Sequence, residues 1–449
     1  MLSTPLRRLI PKMVFPTIAS TLVASLYNLA DTFFVSFLGT NATGAVGVNG
    51  SIDHIIMIGG FFLASGAASF ISRLLGAKDV ERANRVLSSS FFSAALWGIF
   101  VMILGSVFMD KILYTLGAID EFMPYSRQYA RYVLLAAPFM ATSYVLNQNL
   151  RAEGNAVYSM VGMLFGAVLN IGLDPLFIFT LDMGVAGASI ATAISKFVSF
   201  SILLFPYLRR RTTVHISLRA FGISLQDWWE VIKMGNPSLL RLGMGTLAGI
   251  LLNRLAGGFS GSAIAAITVT NRIVMFLSSA CLGFGQGVQP IVGFSYGARR
   301  YGRITESYRF ASWVATVGIA LPSLLLFIFA EPFLQLFSQN DPDMVRIGAF
   351  SLRAQCVAMP FHAYCIVVNF LCVGIGRAGG AALLGLARQG VCFFPILPFL
   401  YWAFGVWGLA SVQGAADVLS VALAIPVAMS ALKDLRRLTA QQGEELVDI

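Results

Sequence analysis

The sequence predicts an all-α polytopic membrane protein of twelve transmembrane helices, arranged as two pseudo-symmetric six-helix lobes. Three observations lead to this fold class. Hydrophobic residues occupy 57% of the 449 positions and charged residues only 12%, whereas soluble domains contain about 25% charged residues. Apolar stretches long enough to cross a bilayer recur along the whole chain. Finally, the second half of the chain repeats the first.

Twelve apolar stretches are predicted to span the membrane, separated by short polar or basic loops. Their approximate bounds are 13–38, 45–71, 87–109, 130–150, 158–179, 185–207, 232–256, 262–290, 309–330, 349–372, 380–402 and 406–431. The first stretch is too long for the apolar region of a signal peptide and is not followed by a small-residue cleavage site. We therefore expect the first helix to remain in the protein.

The net charge of +10 would prompt a nucleic-acid hypothesis in a soluble protein. Here most lysines and arginines fall in alternate loops, which is the positive-inside pattern of membrane proteins. The interpretation counts Arg388 among the cytoplasmic residues. We therefore expect the lipid bilayer as the surroundings, no nucleic-acid partner, a multi-pass location in the plasma membrane, and both termini in the cytoplasm.

The internal repeat has a nearly constant offset of 221 to 222 residues. Single matches mean little in so apolar a chain, but many at one offset indicate duplication. The matches are Pro16 with Pro237, Gly39 with Gly261, Gly66 with Gly287, Pro138 with Pro360, Asn147 with Asn369, Gly154 with Gly376, and Gly184 with Gly405.

Duplication predicts the domain organisation. An N-terminal six-helix lobe covers 1–207, a cytoplasmic linker covers 208–231, and a C-terminal six-helix lobe with a short cytoplasmic tail covers 232–449. Because each half has an even number of spans, both copies have the same orientation in the membrane. Two such lobes enclose a cavity that opens to either side by rocking, which is the geometry of alternating access.

Acidic residues inside the membrane are candidates for function, because each costs several kcal/mol to insert. Asp31 lies in the first span with Asn28 one helical turn away, and Asp174 lies in the fifth span four residues after Asn170. Pro175 has no N–H, which exposes a backbone carbonyl as a further acceptor. Carboxylates beside amides are plausible proton or cation ligands, and the alternative is a pair of protonated, hydrogen-bonded structural acids.

Other intramembrane ionisable groups are weaker candidates. Asp53 and His54 are explained by a polar helix face that points into a cavity, without a role in ion coupling. For the isolated His362, packing is the favoured role. Lys196 and Asp417 occupy repeat-equivalent positions, and either pair with each other across the lobes or face water. Arg241 and Arg272 make the interior of the second lobe basic, and structural partners are the favoured explanation. The candidate cavity-lining residues are Tyr27, Asn28, Arg241 and Asp417.

The five cysteines fall in apolar stretches without the spacing of a disulfide framework or a metal site. With only three histidines, no metal-ligand cluster is visible. We expect no metal and no catalytic residue, since no nucleophile with a His and Asp constellation is found.

Several segments together resemble the multidrug and toxin extrusion (MATE) family. They are Pro16 with Tyr27–Asp31, Ser72-Arg73 with Gly76-Ala77, Arg151 with Glu153–Asn155, Asn170 with Asp174–Phe179, Gly184-Val185 with Gly187-Ala188, and Ala416-Asp417. The resemblance covers nearly the whole chain, and each segment alone is weakly specific.

The resemblance implies a MATE-like secondary active antiporter rather than an enzyme. It would export small organic compounds, cationic or amphipathic, in exchange for protons or sodium ions, as a monomer without a cofactor. The implied ion-coupling residues are Asp31, Asn147, Asn170, Asp174 and Thr192, and Pro16 is the implied helix-bending residue. One departure is Gly245 at about the position where sodium-coupled relatives carry an acid in the seventh span, which favours protons.

Three alternatives stay open at this point. A lipid or lipid-linked oligosaccharide flippase of the same superfamily would have more than twelve spans and a more basic cavity. Arg241 and Arg272 are consistent with such a cavity. A membrane-embedded enzyme such as an acyltransferase would need a catalytic constellation. A channel would not explain the acids beside amides in one lobe.

Overall fold

The computed structural model describes residues 2–337 and 341–447, apart from the side chains at positions 28, 29, 32, 40 and 443–447. Within these ranges every regular element is a helix. The first half of the chain forms α1 (Leu6–Ser36), α2 (Thr40–Gly76), α3 (Val80–Val107), the short α4 (Met109–Thr115), α5 (Met123–Ala152), α6 (Ala156–Pro175) and α7 (Gly184–Leu208).

The second half forms the same succession of long and short helices. They are α8 (Leu225–Gly257), α9 (Gly261–Gly297), α10 (Tyr301–Ile328), the short α11 (Ala330–Gln335), α12 (Pro342–Ile375), α13 (Ala378–Leu386) and α14 (Phe393–Val447). Two π-helical turns interrupt the helices, Leu176–Thr180 after α6 and Ala387–Val391 after α13.

The predicted all-α fold of twelve spans is confirmed. In the described part of the chain, ten helices are long and apolar enough to cross a membrane. One of them, Ala378–Gln442, is 65 residues long and contains a sharp turn at Gly405, where φ is 56°. It therefore supplies the last two spans. The helix α5 is also long enough, but its polar residues lower its hydropathy.

The chain divides into two compact units. The first unit is Ala19–Gly235, and the second unit is Met1–Ile18 together with Asn236–Ile449. The division falls inside α1 and inside α8, so that each of these helices belongs to both units. The lobe boundaries 1–207, 208–231 and 232–449 remain a prediction.

Backbone conformation repeats at the offset found in the sequence. Six of the eleven described residues with positive φ form three matching pairs; such left-handed residues are typical of helix ends. The pairs are Lys78 (φ 64°) with Arg299 (54°), Gly154 (96°) with Gly376 (85°), and Gly184 (54°) with Gly405 (56°). Each pair ends or begins the same helix of its half, so the two halves share a backbone as well as a hydropathy pattern.

Each unit is packed around one central helix. In the first unit α5 packs against α2, α3 and α7, and in the second unit α12 packs against α9, α10 and α14. The central helices are repeat-equivalent, as are their partners. Small residues allow the close approach: a Cβ on Gly98 would lie 2.7 Å from the carbonyl oxygen of Ala137. Both candidate sites described below lie on helices around these central helices.

The segment between α7 and α8 is held on the first unit by hydrogen bonds. Asn84 on α3 accepts the backbone N–H of His215 (2.7 Å), and Ser89 accepts that of Gly222 (3.0 Å). Glu153, at the end of α5, accepts the N–H groups of Thr213 (2.7 Å) and Val214 (3.4 Å). This part of the predicted linker is therefore an ordered surface layer.

Candidate ion-coupling site and second charged cluster

Asp31 lies on α1 inside the first unit, with 7% of its surface exposed. The hydroxyl of Tyr129 on α5 donates to its Oδ2 at 3.2 Å. The other carboxylate oxygen, Oδ1, is buried without a hydrogen-bond partner among the described residues. Such an oxygen is costly to bury as an anion and can be satisfied by taking up a proton or a cation.

Asp174 lies at the end of α6 and is fully buried. The amide of Asn170, one helical turn earlier, donates to Asp174 Oδ1 at 3.1 Å and to Thr192 Oγ1 on α7 at 3.3 Å. Asp174 Oδ2 again has no hydrogen-bond partner in the described part of the chain. Pro175, which cannot donate an N–H, ends α6 directly after this acid, and a π-helical turn follows.

Tyr27 connects these groups to α1, because its hydroxyl lies 3.5 Å from Thr192 Oγ1. The ammonium of Lys196 lies 4.4 Å from the centre of the Tyr27 ring and interacts electrostatically with Asp53 and Asp31. Tyr27 and Lys196 also line a cavity of about 50 Å³, which is enough for water. Four of the five implied ion-coupling residues thus surround one polar region with a resident amine.

Asn147, the fifth implied residue, makes a different contact. Its amide donates to the carbonyl oxygen (3.3 Å) and hydroxyl (2.8 Å) of Ser159 at the start of α6. The repeat-equivalent Asn369 donates to the carbonyl oxygen of Ala381 at 2.7 Å. The same kind of hydrogen bond, from an asparagine amide to the backbone of the next helix, therefore joins consecutive helices in both units, and we call it the asparagine clamp.

Two further predicted residues belong to α1. Pro16 is buried in an unbroken helix, two residues before the division between the units. The side chain of Asn28 lies outside the described residues.

Asp417 is buried on α14 and forms an ion pair within the second unit. Arg388 Nε lies 2.9 Å from Asp417 Oδ1, and its Nη1 contacts Ser278 Oγ (3.0 Å) and His362 Nε2 (2.9 Å). His362 Nδ1 is 3.8 Å from the same carboxylate oxygen. Asp417 is thus paired inside its own unit, where the sequence suggested Lys196 or water as its partner.

Sequence reasoning missed several members of these clusters. Arg388 was assigned to the cytoplasmic side, but it lies in a π-helical turn inside the second unit and is the partner of Asp417. His362 was assigned to packing and is part of the same network. Tyr129, which contacts Asp31, was not singled out at all. A signal was available for Arg388, since it falls inside the predicted span 380–402.

In the described part of the chain, no three His, Cys, Asp or Glu side chains are close enough to hold a metal ion. All five cysteines are buried and unpaired.

The MatE family model matches residues 16–176 and 237–402 of the chain. The multidrug export protein MepA of Staphylococcus saprophyticus is 27% identical over 432 residues, covering 96% of this chain and 94% of that protein. MepA of Staphylococcus aureus is 27% identical over 395 residues, covering 88% of this chain and 87% of that protein.

Solved structures resemble the chain over nearly its whole length. A multidrug resistance MATE family transporter in an outward-facing conformation has a TM-score of 0.91 at 26% identity, covering 97% of this chain and 98% of that one. A MATE protein has been solved in straight and bent conformations, with TM-scores of 0.91 and 0.89, each at 26% identity and the same coverage. Family model, relatives and fold agree, and the chain belongs to the multidrug and toxin extrusion (MATE) family of transporters.

Proposed function

We propose that the chain is a secondary active antiporter that exports small organic compounds in exchange for protons taken up in the first unit. The observation that carries this proposal is the pair of buried acids, Asp31 and Asp174, each with one carboxylate oxygen that has no hydrogen-bond partner among the described residues. Ionisable groups inside a membrane are retained for function far more often than for stability. Export by the MepA relatives supports the same direction of transport.

The coupling residues are Asp31, Asn170, Asp174 and Thr192, and Asn147 stays a prediction as the fifth. Lys196 supports protons over sodium ions as the coupling ion, because a resident ammonium already compensates part of the negative charge that would attract a metal cation. Protonation of Asp31 removes its attraction for that ammonium and changes the acceptor strength of the oxygen facing Tyr129. Because Asp31 lies on α1, this change in its contacts can alter the conformation of the rest of that helix.

Pro16 is the proposed bending point of α1. It lies 15 positions before Asp31, which is about 22 Å at 1.5 Å per residue. A proline leaves a carbonyl of the preceding turn without its helical donor, and helices kink at such points. The division between the units follows Ile18, two residues after Pro16. A bend there would let the proton site in the first unit alter the part of α1 that belongs to the second.

The energetics suffice for export. One proton moving across 100 mV releases about 2.3 kcal/mol, enough to bias a cycle between two states of similar energy. We place the protein in the plasma membrane with both termini in the cytoplasm, acting as a monomer. Transport then needs the ion and the organic compound, and no cofactor.

The test is export from proteoliposomes loaded with rhodamine 123, a fluorescent organic cation, under a proton gradient or a sodium gradient. We expect the proton gradient alone to drive export by the wild type, and Asp31→Asn to reduce it to the level of empty liposomes. Asp182→Asn, which changes an exposed acid in the loop after α6, is the matched control and keeps full activity. Export that ignores both gradients, or that survives Asp31→Asn, would contradict the proposal.

A further inference from the structure

The second unit contains an apolar pocket of about 320 Å³ between α1, α9, α10 and α12. Every described residue that lines it is uncharged, and the sulfur of Cys281 is the one side-chain atom there other than carbon. The volume lies within the range of about 300–1,000 Å³ that is usual for small-molecule sites. The whole lining belongs to the second unit.

The pocket opens on a surface that faces lipid. Phe15, which lines it on α1, is 79% exposed, and Val317 and Leu321 beside it on α10 are 49% and 65% exposed. Exposed apolar side chains on a spanning helix contact lipid chains. Gly318 leaves the pocket wide, because a Cβ there would meet nothing within 4 Å. Water does not occupy so apolar a cavity stably, so its lining favours a hydrocarbon chain as the occupant.

The face of α1 that lines the pocket continues to Arg7 at the start of the helix. Arg7, Pro11, Val14 and Ile18 follow at intervals of four, three and four residues, which places them on one helix face. The distance from Arg7 to Ile18 is about 16 Å at 1.5 Å per residue. Half of the hydrocarbon core of a bilayer is about 15 Å thick. One acyl chain with its headgroup at Arg7 therefore reaches the far end of the pocket.

Basic residues surround the outer end of this face. Arg7 is exposed, and the ion pairs among the described residues do not include it. At the start of α10, Arg303 donates to the carbonyl oxygen of Thr4 at 2.6 Å, and Arg300 donates to that of Leu2 at 3.4 Å. Anionic lipids lie in the cytoplasmic leaflet, where this end of α1 is predicted to be, and basic pockets between spanning helices bind their headgroups. Charge therefore favours an anionic lipid over an organic cation as the occupant.

We propose that this pocket binds one acyl chain of an anionic phospholipid whose phosphate contacts Arg7. The acyl chain fills a space that would otherwise cost free energy as a void. The planar fork of the guanidinium matches two phosphate oxygens and makes the site selective for the headgroup. The lipid is a bound component of the second unit and not a transported compound, so the site does not depend on the coupling ion of the first unit.

The test uses phosphatidylglycerol and phosphatidylcholine that carry the same photoactivatable diazirine in the middle of one acyl chain. Each is added as a trace to phosphatidylcholine vesicles that contain the protein, and crosslinked peptides are quantified by mass spectrometry after irradiation. We expect phosphatidylglycerol to label the peptides around Cys281 and Gly318 about fivefold more than phosphatidylcholine, and Arg7→Gln to remove this difference. Gly318→Leu, which fills the pocket, should reduce the labelling by both lipids roughly tenfold.

The matched controls are Gly243→Leu on α8, where a Cβ also meets nothing within 4 Å, and Arg219→Gln, which changes an exposed arginine. Both keep the labelling of the wild type. Equal labelling by the two lipids, or labelling by phosphatidylglycerol that survives either Gly318→Leu or Arg7→Gln, would overturn the site. Displacement of the phosphatidylglycerol probe by rhodamine 123 would also overturn it, because the pocket would then hold a transported compound. Since Arg7 is exposed, Arg7→Gln decides the matter if Gly318→Leu does not fold.

Discussion

The two units use the same helical scaffold with opposite charge. The first unit groups the carboxyl groups of Asp31, Asp53 and Asp174 with the single amine of Lys196, whereas the second unit groups two guanidinium groups with one carboxylate. The inversion is direct at one repeat-equivalent position, where Lys196 of the first unit corresponds to Asp417 of the second.

This difference teaches that duplication preserved the packing and not the chemistry. Asn147 and Asn369 keep the same asparagine clamp, and Gly66 and Gly287 keep the same close helix contact. Packing positions are constrained in both copies because interiors are close-packed. The buried charges are not part of this packing, and they differ between the two units.

The largest effect is expected from removing Asp417, the acid of the buried ion pair in the second unit. Asp417→Asn leaves Arg388, whose side chain is only 19% exposed, without a counter-ion, which should lower the free energy of unfolding by roughly 3 kcal/mol. Asp31→Asn should cost less, because Lys196 still has Asp53. Thermal unfolding in detergent measures both.

The control for this prediction is Glu331→Gln. It breaks an ion pair with Arg353 in which both side chains are exposed, by 39% and 53%, so its effect should stay below about 1 kcal/mol. A second variant, Arg388→Met with Asp417→Asn, should recover much of the loss. Equal losses for Asp417→Asn and Glu331→Gln would mean that the buried pair is not a structural ion pair.

The next effect concerns the shared close contact. Gly66→Ala places a methyl group against the carbonyl oxygen of Val231, and Gly287→Ala places one 2.7 Å from Val14 Cα. We expect each to lower the free energy of unfolding by about 1–3 kcal/mol. Gly243→Ala, where a Cβ meets nothing within 4 Å, should be neutral or stabilise α8 by about 0.5–1 kcal/mol. If all three variants have the same free energy of unfolding, the close helix contacts at Gly66 and Gly287 do not contribute to the stability of their units.

The two asparagine clamps separate structure from coupling. Asn147→Ala and Asn369→Ala should each lower the free energy of unfolding by about 1–2 kcal/mol, since each removes a buried hydrogen bond that joins two helices. Because Asn147 is the fifth proposed ion-coupling residue, we expect Asn147→Ala also to lower proton-driven export per folded molecule, and Asn369→Ala to leave it unchanged. Equal export by the two variants would contradict a coupling role for Asn147.

The smallest effect is a pH dependence confined to the first unit. Burial raises the pKa of Glu153 to about 7, above the ordinary value of about 4.3. The folded protein then binds more protons than the unfolded chain between these values, so its stability falls as pH rises through this window and levels off above about 7. After allowance for screening, the change is on the order of 1 kcal/mol.

Glu153→Gln should remove this contribution, and its thermal unfolding should be flatter between pH 5 and 8. The repeat-equivalent position of the second unit holds Ile375, so no matching titration is expected there. An unchanged pH profile in Glu153→Gln would assign the dependence to another group.

Much of this protein follows from the sequence alone. Hydropathy and the repeat predicted twelve helices in two halves, because spanning length and apolar character are properties of a single segment. The stacking of Asn170 on Asp174 also followed, since four-residue spacing on a helix fixes a shared face. The left-handed turns at Gly154 and Gly376 lie where the repeat placed helix ends.

Only the tertiary structure decided which charges meet. Tyr129 is 98 positions from Asp31 in the sequence. Arg388 is 29 positions from Asp417, and the sharp turn at Gly405 lies between them. Such contacts depend on how each helix is rotated about its axis and where it crosses its neighbours. Hydropathy indicates neither in a chain whose helices are apolar on most faces. The sequence determined that charges lie in the membrane, and packing determined their partners.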